Sequence, residues 1–491
     1  MAEKITPRSQ DFSKWYQDVI LQARLADYSP VKGCMVIRPN GYSIWEKIQS
    51  NLDQRIKSTG TRNAYFPLFI PESFIQKEAE HVKGFAPQCA VVTYAGAKDL
   101  EEKLIVRPTS ETIINSMFSK WIQSYRDLPM LINQWANVVR WEMRTRLFLR
   151  TTEFLWQEGH TCHETLEEAE KMALKMLTIY TQFCEDVLAM PVVQGLKSEN
   201  EKFAGALRTY CIEAFMQDKK ALQAGTSHNL SSHFAKAFHT VFLDKDGTQK
   251  LVFQTSWGVS TRLIGGLVMM HSDDRGLILP PRVSSPHVVI LPIFGKDPST
   301  FTKIKQKVHE LKKMVLNSVE IKTLPYPLEI HIDEDETKQA GWKFHEYELI
   351  GIPIRLELGP KDLDLNQVTF VRRDLGKKEG VPFTELSQKI TEELLAMQKD
   401  LFEKAKKFRM DHTHLISSYD EFKKKIATEG GFYETSWCQN VACETKVKEE
   451  TKATLRCILL DQAFQVRTSQ NPCVVCSSKS NTVNVLFAIS Y

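Results

Sequence analysis

Apolar residues recur at helical spacing between residues 165 and 190, where Met176 and Tyr180 belong to one continuous apolar face. Thr165 and Glu168 have the spacing of a capping box at the start of this segment. The pattern predicts a long amphipathic helix whose apolar face packs against a core. We interpret this helix as scaffold.

Shorter apolar runs predict strands. Residues 33–56 run from an apolar strand through a proline-asparagine-glycine turn into an amphipathic helix, and residues 66–70 predict another buried strand. Residues 251–271 predict a strand, a glycine turn and a helix that carries Arg262 in its first turn. Two consecutive glycines inside that helix each cost ~1 kcal/mol relative to alanine, so we expect them to pack closely against a sheet.

Around residues 140–156 the sequence predicts two strands joined by a short loop. Successive residues of a strand point to opposite faces, so Arg140 and Glu142 would share one face, and so would Phe154 and Trp156. An arginine fork suits a phosphate or carboxylate, and aromatic walls suit a compact apolar ligand or a stacked base. The alternative is a surface hairpin with a salt bridge.

The second half of the chain has a different pattern. A proline-rich linker at residues 279–286 is followed by predicted strands at 288–293, 328–332, 354–358 and 368–371, with a helix starting near residue 298. Strands that alternate with helices of this length indicate a mixed or parallel sheet covered by helices. Beyond residue 400 the chain becomes rich in lysine and ends in cysteine pairs and an apolar strand.

Composition is that of an ordinary globular protein. The 491 residues are enough for roughly three domains. Hydrophobic residues make up 42% and charged residues 25%, and the net charge of +4 allows a nucleic-acid partner without requiring one. The amino terminus is polar and no run of eighteen apolar residues occurs, so we expect a cytoplasmic protein with no membrane partner.

Four of the ten cysteines form two close pairs, Cys438 with Cys443 and Cys473 with Cys476. Four thiolates at this spacing suit a closed tetrahedral Zn²⁺ site that stabilises the fold and leaves no position open for catalysis. The alternative is a set of buried thiols without a metal. Cys457 lies between the pairs, and we expect it to be a bystander.

Several segments together resemble one known family. Pro39 with its flanking strand and helix resembles motif 1 of the class II aminoacyl-tRNA synthetases, Arg140-Trp141-Glu142 resembles motif 2, and Arg262 resembles the arginine of motif 3. Residues 107–111, 153–160 and 223–228 closely resemble the prolyl-tRNA synthetases. The resemblance covers nearly the whole chain and is to the archaeal and eukaryotic type, which also occurs in some bacteria.

This resemblance implies an α/β (α+β) protein of three domains. Residues 1–283 would form the class II catalytic domain on an antiparallel sheet, residues 284–400 an α/β anticodon-binding domain, and residues 401–491 a small α+β zinc-binding domain. It also implies a homodimer formed through the motif 1 region. In the family the last residue extends toward the catalytic domain, so Tyr491 would do so here.

The implied activity is that of a proline-tRNA ligase, which activates L-proline with ATP to prolyl-adenylate and transfers it to tRNA(Pro). Both steps need positioning and charge neutralisation more than a protein nucleophile. Arg140 would bridge the proline carboxylate and the α-phosphate, and Arg262 would stack on adenine and reach the terminal phosphate. A Mg²⁺ ion would accompany the ATP. The other implied ATP contacts are Glu142, Arg150, Thr151, Gln223, Thr226 and Ser260.

The proline pocket can be argued from the ligand. A secondary ammonium needs acceptors, which Thr109 and Glu111 supply, and a pyrrolidine ring needs a tight apolar box. Phe154, Trp156, Phe203 and His228 would form that box beside Arg140. Alone, His228 would more often be a packed or surface histidine, but its match to the family loop favours the pocket. The segment between Trp156 and Leu251 is too short for the editing domain that another prolyl-synthetase type inserts there.

In the middle domain, arginine forks and carboxylates could read guanines of a splayed anticodon loop. The candidates are Glu348, Arg355, Lys361, Arg372 and Lys377, each of which could instead be a solvated surface charge.

Two rival functions remain open at this point. One is a class II synthetase of threonyl or histidyl specificity, against which the proline-pocket residues argue. The other is a catalytically silent paralogue that binds tRNA or other proteins, against which the retained Arg140, Glu142 and Arg262 argue.

Overall fold

The structure is a computed structural model that describes residues 5–76, 89–294 and 298–491. In the first 280 residues the described helices are α1 (Phe12–Gln22), α2 (Pro39–Lys57), α3 (Glu72–Gln76), α4 (Glu111–Trp121), α5 (Leu166–Asp186), α6 (His233–Phe238) and α7 (Arg262–His271). The strands of the same part are β1 (Ala26–Tyr28), β2 (Met35–Ile37), β3 (Arg62–Asn63), β4 (Phe69–Pro71), β5 (Ala90–Ala95), β6 (Lys98–Val106), β7 (Met130–Val139), β8 (Glu153–His163), β9 (Val192–Leu196), β10 (Arg208–Phe215), β11 (Ala221–Ser231), β12 (Val241–Leu243), β13 (Gln249–Leu251) and β14 (Phe253–Ser260).

An antiparallel sheet in the order β9-β10-β11-β14-β8-β7 forms the centre of this part, and β3 pairs in parallel with β7 at one edge. Trp15 of α1, Tyr180 of α5 and Trp257 of β14 are buried in the core between the sheet and its helices. The apolar face of α5 therefore packs against the sheet, as expected of a scaffold helix. Thr165 caps the helix, because its side chain accepts from the Glu168 N–H.

Three local expectations were wrong in detail. Strand β7 ends at Val139, so Arg140 and Glu142 lie in the loop between β7 and β8 rather than on a strand. Gly258 was expected in a turn but lies inside β14, where a Cβ would come within 2.7 Å of the carbonyl oxygen of Gln157 on β8. Only Thr261 separates β14 from α7, so the expected glycine turn between them is missing. The strand expected at 66–70 is β4, which begins three residues later and ends one residue later.

The close packing expected of the glycines in α7 is confirmed. A Cβ on Gly265 would lie 2.7 Å from Leu149 Cδ2 and from the hydroxyl of Tyr16, and one on Gly266 would lie 2.9 Å from Met190 Cε and 3.0 Å from Leu222 Cδ2. Leu222 belongs to β11, so the glycines let α7 lie close to the sheet.

Residues 288–411 contain a second sheet. Its helices are α8 (Pro298–Asn317), α9 (Ala340–Leu349), α10 (Pro360–Asp364) and α11 (Leu386–Asp411). Its strands are β15 (Val288–Pro292), β16 (Ile330–Ile332), β17 (Ile354–Leu358), β18 (Gln367–Arg372) and β19 (Lys378–Pro382), in the order β16-β15-β17-β18-β19. The first three strands of this order are parallel and the last two antiparallel, so the expected mixed sheet covered by helices is confirmed.

The carboxy-terminal residues extend the first sheet. They form α12 (Tyr419–Thr428), α13 (Val441–Thr451), β20 (Thr413–Leu415), β21 (Phe432–Trp437), β22 (Thr454–Leu459) and β23 (Val483–Ala488). Strand β22 pairs with β9, so that Ile458 lies opposite Leu196 and the order β20-β21-β23-β22 continues into the central sheet.

The domain boundaries at residues 283 and 400 stay predictions. Helix α11 runs through residue 400 without a break, so the second boundary would fall inside a helix. Arg373, after β18, donates to both carboxylate oxygens of Asp273, after α7, at 2.7 and 3.0 Å, which ties the second sheet to the first part of the chain. Within the described residues, no helix combines the length and the apolar character that crossing a bilayer would require.

Candidate active site

A cavity of about 290 Å³ opens on one face of the central sheet. It is lined by all seven residues predicted to bind proline: Thr109, Glu111, Arg140, Phe154, Trp156, Phe203 and His228. A second cavity of about 180 Å³ adjoins it and shares Arg140, Phe154, Ser260 and Arg262 with it. The predicted ATP residues divide between the two, with Gln223 and Thr226 in the first and Glu142, Arg150 and Thr151 in the second. The fold therefore brings together residues that lie far apart in sequence.

Arg140 lies where the two cavities meet. Its guanidinium carbon is 5.5 Å from the centre of the Phe154 ring and 5.3 Å from that of Trp156, and its Nε donates to the carbonyl of Pro108 at 2.8 Å. Phe154 and Trp156 alternate on β8 and meet edge to face at 6.2 Å, as their spacing predicts. The guanidinium is thus held by stacking and by one backbone bond at the mouth of the loop after β7.

Two buried carboxylates face this arginine. Glu111, at the start of α4, accepts from the hydroxyl of Thr109. Glu158 of β8 accepts from Ser110 Oγ at 2.5 Å and from Gln134 Nε2 at 2.8 Å. Burial lowers the pKa of Arg140, and the nearby charges of Glu111 and Glu158 oppose that shift. The first cavity therefore offers carboxylates to a cation and a guanidinium to an anion.

His160 completes this cluster, with its Nε2 3.0 Å from Glu158 Oε2. Burial alone would lower the pKa of His160, but the hydrogen bond to Glu158 and the charge of that carboxylate raise it above the ordinary value. His160 therefore carries a proton more readily than a free histidine and offsets part of the negative charge of Glu158.

His228 of β11 forms an aromatic wall with Phe203, their rings 4.7 Å apart at an interplanar angle of 31°. Its Nδ1 lies 3.0 Å from Thr209 Oγ1. Burial lowers the pKa of His228 to about 4, so near pH 7 the ring is neutral and acts as an apolar surface.

The second cavity is positive. Arg262 begins α7, donates from its Nε to the carbonyl of Leu149 at 3.4 Å, and has its backbone N–H bonded to Ser260 Oγ. Burial, together with the positive charges of Arg140 and Arg150, lowers the pKa of Arg262 to about 10. Two guanidinium groups whose charges lower the pKa of a third suit a ligand with several negative charges.

Further cavity residues were missed from the sequence, among them Glu158, His160, Lys197 and Glu201. The first two could have been found, because they continue the alternation of Phe154 and Trp156 along β8 onto the same face. Lys197 and Glu201 carry no such signal. They lie in the connection between β9 and β10 and reach the cavity only through tertiary folding.

Tyr491 contacts this part of the chain, as expected. Its hydroxyl donates to Asp218 Oδ2 at 2.5 Å, and the Arg146 guanidinium carbon lies 5.5 Å from its ring centre. Arg146 belongs to the loop between β7 and β8, so the chain terminus touches the same loop that carries Arg140.

The four predicted metal ligands converge. The sulfur atoms of Cys438, Cys443, Cys473 and Cys476 all lie within 4.8 Å of one another, and Cys438 Sγ is 3.7 Å from both Cys443 Sγ and Cys476 Sγ. A tetrahedral Zn²⁺ with Zn–S bonds of ~2.3 Å separates its sulfurs by ~3.8 Å, which these distances match closely. Cys457 lies on β22 outside the cluster.

The five anticodon candidates have unequal surroundings. Lys361 and Lys377 are exposed, and Arg355 pairs with Glu357 at 3.0 Å while its guanidinium carbon lies 4.9 Å from the Phe344 ring centre. Arg372 is surrounded by acidic partners, bonding to Asp374, Glu393 and Asp400 at 2.6 to 2.9 Å. Glu348 pairs with Arg275 at 2.7 Å. Arg355, Arg372 and Glu348 thus already have ionic partners within the chain, and Arg372 is buried among three carboxylates.

Three family models match the chain in succession. The class II core domain of the tRNA synthetases for G, H, P, S and T matches residues 93–271, the anticodon binding domain matches 287–393, and the prolyl-tRNA synthetase C-terminal domain matches 419–491.

Relatives match over the full length. The chain is 54% identical over 495 residues to the proline-tRNA ligase of Chloroherpeton thalassium, 55% over 494 residues to that of Chlorobium phaeobacteroides strain BS1, and 54% over 494 residues to that of Chlorobaculum tepidum. In each case the alignment covers 100% of both chains.

Proposed function

The chain belongs to the proline-tRNA ligases, a family of class II aminoacyl-tRNA synthetases, and from that premise we propose how its residues carry out the reaction. The enzyme activates L-proline with ATP and transfers it to tRNA(Pro). The observation that carries the residue assignment is the position of Arg140, between the buried carboxylates Glu111 and Glu158 of the first cavity and the arginines Arg150 and Arg262 of the second. Proline and ATP would meet at this guanidinium.

In the first step a proline carboxylate oxygen attacks the α-phosphorus of ATP. A new bond forms between that oxygen and phosphorus, the bond to the β-phosphate oxygen breaks, and pyrophosphate leaves. Arg140 holds the carboxylate and an α-phosphate oxygen together, while Arg150 and Arg262 bind the phosphates that carry the departing charge. Arg262 also stacks on adenine, and Glu142, Thr151, Gln223, Thr226 and Ser260 complete the nucleotide contacts.

In the second step a hydroxyl of the terminal ribose of tRNA attacks the prolyl carbonyl. The ester forms, AMP leaves and the hydroxyl proton is released. Arg140 again faces the separating negative charge. No side chain is needed as a covalent nucleophile, which agrees with a site built from positioning groups.

Proline is selected by the first cavity. Thr109 and Glu111 accept from its secondary ammonium, and Phe154, Trp156, Phe203 and His228 enclose its ring. Neutral His228 suits this place, because a charged imidazole would repel the ammonium. The segment between Trp156 and Leu251 forms only the rest of β8, α5, α6, β9 to β12 and most of β13, so no separate editing domain is inserted there.

Two metal ions enter the proposal. The cysteine cluster fits Zn²⁺, which would cross-link β21, α13 and the chain before β23 and thereby stabilise the fold. Mg²⁺ would reach the site with ATP, held mainly by phosphate oxygens with Gln223 beside it, and would neutralise charge on the leaving pyrophosphate.

For tRNA recognition we propose Arg355, Lys361 and Lys377 as contacts to the anticodon. Arg355 beside Phe344 offers both a donor fork and a stacking surface, and both lysines are exposed. Arg372 and Glu348, predicted as further readers, are proposed instead to be structural, because Arg372 is buried among three carboxylates and Glu348 pairs with Arg275 from the first part of the chain.

A homodimer through the motif 1 region is part of the proposal. Tyr28, Val31, Val36 and Tyr42 are 43 to 58% exposed around the β1–β2 hairpin and the start of α2, which is an apolar surface that a second copy could cover. Val36→Glu should shift the sedimenting mass toward that of one chain.

Because tRNA and ATP are its substrates, we place the enzyme in the cytoplasm.

The assignment is tested by amino-acid-dependent exchange of labelled pyrophosphate into ATP, run in parallel with each of the twenty standard amino acids. Proline should give the highest kcat/KM. Faster exchange with threonine or histidine would support the rival specificity, and no exchange with any amino acid would support the silent paralogue.

A further inference from the structure

The connection between β9 and β10 forms one wall of the first cavity. Lys197 and Glu201 line the cavity there, and Phe203 stacks on His228 from the same connection. We call residues 197–203 the wall segment. It has no helix or strand of its own, so its position depends on the groups that bond to it.

Three residues of the wall segment bond to the carboxy-terminal part of the chain. Lys197 Nζ donates to the carbonyl of Arg456 at 2.7 Å, and Ser198 Oγ donates to Glu444 Oε1 at 2.8 Å. Glu201 lies 3.7 Å from Lys448 Nζ. The partners come from α13 and β22, which lie more than 240 residues further along the chain.

The contact at Lys197 is part of a buried ion cluster. Glu213 of β10, which is fully buried, accepts from Lys197 Nζ at 2.9 Å and from Arg456 at 3.0 to 3.1 Å. Arg456 also donates to Thr454 and Ser490, at 2.8 and 3.0 Å. Lys197 and Arg456 thus share the carboxylate of Glu213 where the catalytic strands meet β22. Because all three charged groups are hydrogen-bonded to one another, their relative positions are tightly fixed.

These contacts would be only structural if they lay far from the cavity, but Lys197 belongs to both the cluster and the cavity lining. The carbonyl of Ser198 accepts from the N–H groups of Glu201 and Lys202. A displacement at Ser198 should therefore reach the adjoining Phe203, whose own N–H donates to Thr209 Oγ1. The nucleotide residues Glu142, Arg150 and Thr151 lie in the adjoining second cavity, where none of the wall segment is part of the lining. A loosened wall segment should therefore affect the amino acid more than ATP.

We propose that the carboxy-terminal part of this chain sets the position of the proline-pocket wall, with Glu444 and Arg456 as positioning residues that act through Ser198 and Lys197. This inference rests on the proposed assignment of the first cavity to proline. It gives α13 and β22 a task in amino-acid binding in addition to their place in the fold.

The decisive variants are Ser198→Ala and Glu444→Ala. The first removes the donor and the second the acceptor of the hydrogen bond between Ser198 and Glu444. In each, the proline KM for pyrophosphate exchange should rise about fivefold to tenfold, which is less than the full strength of a hydrogen bond to a charged group because the lost bond acts on proline only through the wall segment. The ATP KM should stay within about twofold, and the double variant should be no worse than the stronger single variant because both remove the same contact. Glu444→Gln keeps an oxygen that can accept from Ser198 and should restore most of the proline affinity.

Arg467→Ala is the matched control, since Arg467 forms a partly exposed ion pair with Glu434 in the same carboxy-terminal part. Its proline KM should equal that of the wild type. Arg456→Lys, which keeps the charge but loses the fork, should show the same selective rise as Ser198→Ala. If Arg456→Lys does not fold, Ser198→Ala decides the question alone, because its hydroxyl is the smallest change in the series.

Zinc content and melting temperature are measured for every variant. An unchanged proline KM in folded Ser198→Ala and Glu444→Ala would overturn the inference, and so would equal rises in the proline and ATP KM values accompanied by a fall in melting temperature, since that is the signature of a purely structural contact. The absence of proline-dependent exchange in the wild type would instead overturn the proposed function itself.

Discussion

Replacing Arg140 is the sharpest test of the active site. This guanidinium lies over Phe154 and Trp156 at 5.5 and 5.3 Å and faces both cavities. We expect Arg140→Ala to remove the hydrogen bonds to both the proline carboxylate and the α-phosphate. Two hydrogen bonds to charged groups, at ~1.5 to 3 kcal/mol each, amount to ~3 to 6 kcal/mol of transition-state stabilisation.

At ~1.4 kcal/mol per factor of ten, that loss lowers the exchange kcat/KM by about 10² to 10⁴. Arg140→Lys keeps the charge but loses the planar fork and most of the stacking, so its loss should be smaller, about tenfold to a hundredfold. The measurement is proline-dependent pyrophosphate exchange at several proline and ATP concentrations, with circular dichroism and melting temperature as checks on folding.

Arg144→Ala is the control for this prediction, because Arg144 is an exposed arginine of the same loop. Its exchange rate should equal that of the wild type. A folded Arg140→Ala enzyme with more than about a tenth of the wild-type kcat/KM would refute the assignment, since ~1.4 kcal/mol is too little for a guanidinium that binds both reacting groups.

Four further predictions follow from the same structure. In Arg262→Lys, the environment that lowers the arginine pKa to about 10 should bring the lysine pKa to ~8, so the ATP KM should rise between pH 7 and 9 while that of the wild type stays flat. Burial lowers the pKa of His271 to about 4, below its unfolded value of ~6.5, so its contribution to stability is complete above pH 6.5 and is lost as the pH falls toward 4; urea unfolding of His271→Gln should show ~2 kcal/mol less loss between pH 7 and 5 than the wild type. Cys473→Ser should lower bound zinc from one ion per chain and reduce the melting temperature, as measured by elemental analysis and calorimetry. Purified wild-type enzyme should form alanyl-tRNA and not hydrolyse it, and rapid hydrolysis would contradict the absence of an editing site.

Much of the fold could be predicted from local pattern. The spacing of apolar residues gave the scaffold helix α5 and the mixed second sheet, and the paired glycines of α7 correctly indicated close packing. The strand ends were less well determined. Arg140 was placed on a strand because alternation alone does not mark where pairing stops, and β7 ends one residue earlier.

The candidate active site likewise contains residues that local sequence patterns predict and residues that they do not. Residues within recognisable motifs, such as Arg140, Trp156 and Arg262, line the two cavities, and their roles toward proline and ATP stay predictions. Glu158 was missed although it follows the period of β8. The place of Lys197 in the cavity could not be predicted. Its position depends on a contact with Arg456, which is 259 residues further along the chain, and periodicity within a short window carries no information about such a contact.

The charges of the site explain activation but not selection. In the proposed site, any amino acid would present an ammonium to Glu111 and a carboxylate to Arg140, and a pair of charges ~4 Å apart at an effective dielectric constant of ~20 interacts by ~4 kcal/mol whatever the side chain. Discrimination between proline and a smaller amino acid is left to the aromatic box, where each missing methylene is worth only ~1 to 3 kcal/mol. On the proposed assignment, the position of Phe203 against His228 would therefore matter more for fidelity than any charged residue of the site, and that position is the one which the carboxy-terminal contacts to the wall segment would control.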